Sequence, residues 1–174
     1  MSIEKYLMLA DHIRSILQIQ TIPTDIVSMV MKIGGTVSFL DKEQAYEKKY
    51  DVGYRPVLQI IPGVYPEGRF EIFTANWIDY KPARLHIATQ FAKVVMFHLE
   101  KDKLIDPDRR LISEETTAAN HLGAALLMPQ DEFSQACQEA LDVQAGTIEP
   151  DIIAEKFQVP VSAVKTMGIY RLFW

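Results

Sequence analysis

The chain has 174 residues, of which 48% are hydrophobic and 24% charged, and its net charge is −5 at pH 7. A chain of this length buries enough surface to fold as one domain without a metal or disulfide staple, and its single cysteine, Cys137, cannot form an internal disulfide. The acidic balance speaks against nucleic acid as the main partner, because phosphate binding relies on clustered Lys and Arg, and no uninterrupted apolar run is long enough to span a bilayer.

The opening segment, MSIEKYLMLADHIRS, carries Glu4, Lys5, Asp11 and Arg14 and lacks the apolar core of a signal peptide. With the lone cysteine, this sets the expected location as the cytoplasm, with no membrane partner. Apolar residues at Ile3, Tyr6, Leu7, Ala10, Ile13, Ile16 and Leu17 predict an amphipathic helix over 3–19. Pro23, Thr24 and Asp25 start a second helix, which Gly34-Gly35 ends. TVSFL then reads as a strand. The stretch 41–55 is charged and tyrosine-rich, and reads as a mobile connection. VLQII and RFEIFTA are strand-like runs joined by PGVYPEG, which suggests a hairpin.

Asn76 to Ala83 leads into RLHIATQFAKVVMFH, Arg84 to His98. This helix is apolar on most sides and is expected at the centre of the fold. The polar segment LEKDKLIDPDRRLI follows and ends the helix near Asp106-Pro107. Ser113 caps the next helix, with Glu114 and Glu115 in its first turn, and TTAANHLGAALLM carries it to Pro129. Another helix runs from Asp131 to Leu141. Beyond Gly146, two short helices, 150–157 and 161–172, are joined by QVPV. The order is helix, helix, small sheet, then helices only, which is an α+β arrangement.

One polar row interrupts the central helix. With His86 set at zero, Thr89, Gln90 and Lys93 fall within roughly 60° of it on the helical wheel. The plain reading is that Lys93 marks the place where the helix reaches solvent. The alternative is that the row faces an internal cleft.

RLHIATQFAKVVMFH is similar to the frame R-F-T-I-A-H-E-L-G-H-x-L-L-H of the ImmA/IrrE family of zinc endopeptidases, with Arg84, Ile87 and Ala88 in register and Leu85 for the Phe. TTAANHLGAALLMP resembles a second signature of that family, E-x-x-A-N-x-F-A-A-x-L-L-M-P, through Ala119, Asn120, Ala124, Leu126, Leu127, Met128 and Pro129, with Leu122 and Gly123 as near matches. IPTDIVSMVMKIGGTVSF and IIAEKFQVPVSAV resemble its opening and closing segments, so the likeness touches most of residues 22–164. It implies a zincin-like core with a small sheet and a central motif helix, followed by C-terminal helices. The expected organisation is a single domain, 1–174, with the core at 1–145 and a helix-turn-helix-like appendage at 146–174 packed on it.

The departures fall on the chemistry. In HExxH enzymes two His one helical turn apart hold zinc and the intervening Glu takes a proton from the bound water. Here Thr89 stands for the first His, Gln90 for the Glu and Lys93 for the second His. Thr116 stands at the position of the third ligand, with Glu115 one residue away. Gln cannot accept a proton near neutral pH, and an ammonium has no lone pair to donate and repels a divalent cation. The expectation is a peptidase-like protein that is not an enzyme, with no catalytic residue, no metal and no cofactor. In this reading Lys93 occupies the place of the metal, with Glu115 or Glu114 as its partner, and His86, His98, Asn120 and His121 are further cleft residues. The resemblance implies relatives that cleave helix-turn-helix repressors of phages and mobile elements, so a protein partner, such as a helix-turn-helix repressor, is expected.

Two alternatives stay open. One is an active zinc peptidase with a displaced ligand set drawn from Glu115 and the histidines. His86 and His98 point roughly 120° apart, so one ion would not reach both. The other is a DNA-binding regulator acting through the C-terminal helices. The second of these offers only Lys165 and Arg171 among apolar residues, which suits packing better than base reading. Cys137 reads as a buried structural thiol. The apolar end IYRLFW is compatible with a homodimer.

Overall fold

A computed structural model describes residues 3–50, 52, 57–60, 70–99, 113–142 and 147–171, with side chains described at all of these except 3, 4, 57–60, 97–99, 113–116, 142, 166 and 169–171. The elements in order are α1 (Ile3–Ile16), α2 (Ile26–Lys32), β1 (Gly35–Leu40), α3 (Lys42–Glu47), β2 (Val57–Ile60), β3 (Phe70–Ala75), α4 (Tyr80–Leu99), α5 (Ser113–Leu127), α6 (Gln130–Glu139), β4 (Leu141–Asp142), β5 (Thr147–Ile148), α7 (Pro150–Phe157) and α8 (Val161–Arg171). The class is α+β, as expected.

The main sheet has the order β1-β3-β2. β2 and β3 are antiparallel, pairing Val57 with Phe73 through Ile60 with Phe70, so the expected hairpin partners do meet. β1 runs parallel to β3, with Gly35 opposite Phe70 and Leu40 opposite Ala75. Gly35 is demanded by this pairing: a Cβ there would lie 2.3 Å from Cζ of the Phe70 ring.

Strand β3 is buried on both faces. Phe70 and Ile72 belong to the main core, while Phe73 and Ala75 form a second, smaller cluster with Leu40, Ala45 and Val52. This second cluster accounts for an element the sequence reading missed. Residues 42–47 were expected in a mobile connection and are instead helix α3, which packs Ala45 onto the sheet. Its start is fixed by a capping box. The Asp41 carboxylate accepts from Gln44 N at 2.8 Å, and Gln44 Oε1 accepts from Asp41 N at 3.0 Å. The charge of this stretch lies on the exposed side of the helix. Other boundaries also shift. α1 ends at Ile16 rather than residue 19, and α4 begins four residues before Arg84. The pair β4–β5 was not expected.

The main core runs from α1 (Tyr6, Leu7, Ala10) through α4 (Ile87, Ala88, Phe91) and α5 (Leu122, Leu126, Leu127) to α7 and α8 (Ile153, Phe157, Ala163, Val164, Met167). The last two helices therefore share the core of the rest. Phe133 and Phe157 place their ring centroids 6.2 Å apart between α6 and α7. Cys137 is buried in the same cluster.

Two buried arginines tie the helices together. Arg14 donates to Thr24 Oγ1 and, at 3.3 Å, to Leu126 O in the last turn of α5. Thr24 Oγ1 donates to Leu127 O at 3.4 Å. Arg84 donates to Thr24 O at 2.9 Å, to Gln158 O at 3.1 Å and to Phe157 O at 3.4 Å, at the end of α7. Each guanidinium thus satisfies carbonyls that a helix C-terminus leaves without an intrahelical donor, and places its positive charge at the negative end of the helix dipole. Thr24, fully buried after the cis Ile22–Pro23 bond, joins the two.

Candidate functional site

α4 and α5 make the most extensive helix contact in the fold, and the contact is close because of Gly123. A Cβ at position 123 would lie 2.8 Å from Thr89 N and 2.9 Å from Thr89 Cα. The backbones therefore touch at Thr89, one of the singled-out positions of the polar row. No residue larger than glycine fits at 123 without moving a helix.

Beside this crossing, α4, α5 and α8 line an open cleft of about 450 Å³. Its described lining is Leu85, His86 and Thr89 from α4, Thr117, Asn120, His121 and Ala124 from α5, and Ser162 and Ala163 from α8. The volume lies within the range of small-ligand sites, roughly 300–1,000 Å³. The helical period explains the gathering: 85, 86 and 89 lie along one side of α4, and 117, 120, 121 and 124 along one stripe of α5.

The cleft brings together four of the residues chosen from sequence: Thr89, His86, Asn120 and His121. Gln90 is buried on α4 and is not among the lining residues, and Lys93 is half-buried one turn further along. His98 lies in the last turn of α4, and Glu114, Glu115 and Thr116 lie in the first turn of α5. The side chains of these four fall outside the described residues. The sequence reading missed Thr117, Ser162 and the contribution of α8. Thr117 could have been found from the helical stripe it shares with Asn120, His121 and Ala124. Ser162 carries no local signal, because its place depends on how α8 docks.

His86 is the most informative side chain. Its Nδ1 is sealed from solvent and has no hydrogen-bond partner among the described residues, while the residue as a whole is only half-buried. His86 is also one of the residues that line the cleft. Burial pushes the imidazole of His86 below its usual value and does the same to His121, whose ring centroid lies 6.3 Å from that of Tyr6. Both are thus neutral near pH 7. An unpaired buried N–H is harder to tolerate than an unpaired acceptor lone pair, so the proton of neutral His86 is favoured on Nε2 over the sealed Nδ1.

The helix positions that would hold zinc in an HExxH enzyme do not fit the ion. A hydroxyl at 89 is a poor ligand beside imidazole, and the ammonium at 93 repels a cation. Among the described residues, no three His, Cys, Asp or Glu side chains are grouped to hold a metal. No described helix is long and apolar enough to cross a membrane. No family model matches the chain, and neither any curated protein nor any solved structure matches it.

Proposed function

We propose that this protein is a non-catalytic binding module of the kind that the ImmA/IrrE resemblance implies, and that the cleft on α4 holds a protein partner without cutting it. The observation that carries the reading is the cleft itself. It lies at Thr89, where the motif resemblance places the first ligand of the enzymes, and is lined by hydroxyl, amide and imidazole groups. Gln90 in place of a general base and Lys93 in place of a ligand remove the means of activating water. The half-buried Lys93 supplies positive charge near the place of the metal, and Glu114 or Glu115 is its proposed counterpart. The proposed partner class is a helix-turn-helix repressor, and regulation is by occupancy. The reading also places the protein in phage or mobile-element control and in the cytoplasm.

The test is to mix the protein with a helix-turn-helix repressor and added zinc, then measure complex formation and the intact masses of both chains. A complex with both masses unchanged supports the proposal. Zinc-dependent fragments of the repressor overturn it, and absence of a complex overturns the partner class.

The gathering of His86 and His121 in one cleft gives the second reading, a displaced zinc site, its best support. Two imidazoles are one protein ligand short of the three usual at a catalytic zinc, and the same experiment separates the two readings. A DNA-binding role for α8 draws little support from its composition: Ala163, Val164 and Met167 pack into the core, and Lys165 is the one cation among its described side chains.

A further inference from the structure

We propose that the cleft selects an uncharged group that accepts a hydrogen bond, a carboxamide or main-chain carbonyl, and that the Nε2–H of His86 is the donor that receives it. The inference rests on the reading of this cleft as a binding site and names what the bound partner presents there.

Three observations converge on it. The described lining holds no carboxylate, ammonium or guanidinium. Its polar members are Thr89, Thr117, Asn120, Ser162 and the two imidazoles, set among Leu85, Ala124 and Ala163. A charged ligand entering such a cleft loses hydration and meets no opposite charge among its described lining residues, which is costly, the Lys93 ammonium standing outside that lining. A neutral amide brings no charge to be desolvated and can accept from the His86 donor. The sealed, unpartnered Nδ1 of His86 fixes which ring nitrogen serves as donor. Protonating Nδ1 would bury an N–H without an acceptor, so the imidazole is held neutral by its surroundings. The cleft also has the size for such a group, with apolar walls on α4, α5 and α8 to hold the carbon skeleton beside it.

The test uses three isosteres that differ only in charge: benzamide, benzoate and benzamidine, titrated at constant ionic strength and near pH 7.5, a pH at which an unperturbed imidazole is already mostly neutral. The readout is the imidazole resonances of His86 and His121 in the ¹⁵N-labelled protein, which also report the tautomer. The expected result is the Nε2–H tautomer at His86, shifts at both rings on adding benzamide, and benzamide binding about fivefold or more tighter than either charged isostere, a difference of about 1 kcal/mol. His86→Phe is expected to weaken benzamide several-fold, and His86→Gln, which keeps a neutral donor, to retain most of the affinity. The ranking of the three isosteres on the unaltered protein stands whether or not the variants fold. Benzoate or benzamidine binding as tightly as benzamide, an Nδ1–H tautomer, or unmoved imidazoles with all three would overturn the inference. Zinc-dependent cleavage of a repressor with the isostere ranking intact would instead overturn the non-catalytic reading alone.

Discussion

Thr24 serves two guanidiniums at once, its hydroxyl accepting from Arg14 and its carbonyl from Arg84. Because the hydroxyl also donates to Leu127 O, Thr24→Val leaves a buried guanidinium and a carbonyl each short of a partner. We expect a loss of about 1–3 kcal/mol in chemical denaturation, with Thr24→Ser, which keeps the hydroxyl, much closer to the unaltered protein. The histidines give a pH signature at the same scale. His86 and His121 are pushed below 6.5 in the folded chain by burial. Below pH 6.5 the unfolded chain therefore takes up more protons than the folded one, and stability falls as pH drops toward the folded values. Denaturation midpoints measured on either side of that window should decline toward the acid side, and His86→Gln should flatten the decline. An unchanged slope in that variant would show that His86 does not titrate as described. Residue types were legible in the sequence where their role is local. Asp25, read as a helix-start residue, accepts from Ser28 N at 3.0 Å, and Cys137, read as buried, is buried. Arg14 and Thr24 were seen only as a helix charge and a helix start. Their meeting at the end of α5 joins residues more than 100 positions apart, and no periodicity carries that information.

At the scale of elements, Gly123 sets the distance between α4 and α5. Gly123→Ala has no positive-φ penalty to relieve and places a methyl against the Thr89 backbone. We expect a cost of about 1–3 kcal/mol from overpacking, together with altered His86 and His121 resonances as the cleft beside the crossing shifts. A stable variant with unmoved resonances would show that the crossing is looser than the structure has it. The long helices and three strands of the main sheet were readable because their apolar periods are strong. α3 was not, since a single capping box and one buried Ala45 hold it, while Lys42, Glu43, Lys48 and Lys49 dominate the composition around it. The early start of α4, at Tyr80, was hidden by Pro82. Proline is tolerated there because a first helical turn leaves its N–H groups unpaired in any case.

For the whole molecule, the sequence made the α+β class legible, and α4 contributes Ile87, Ala88, Phe91, Ala92 and Val94 to the main core, with α1, α5, α7 and α8 represented in the same cluster. It did not show that α8 forms one side of the cleft, because α8 carries apolar residues on several sides and its docking face is decided by the partners it meets. The row of Thr89, Gln90 and Lys93 proves divided: Thr89 lines the cleft with His86, Gln90 is buried away from the lining, and Lys93 stands one turn on. That division suits the proposed reading of α4 as a helix that lines a binding cleft without holding a metal. Zinc stoichiometry of the purified protein, measured after equilibration with excess zinc and removal of the unbound ion, tests this most directly. The account predicts well under one zinc per chain and no change when His86 or His121 is replaced. One tightly held zinc per chain, lost on replacing either histidine, would contradict it.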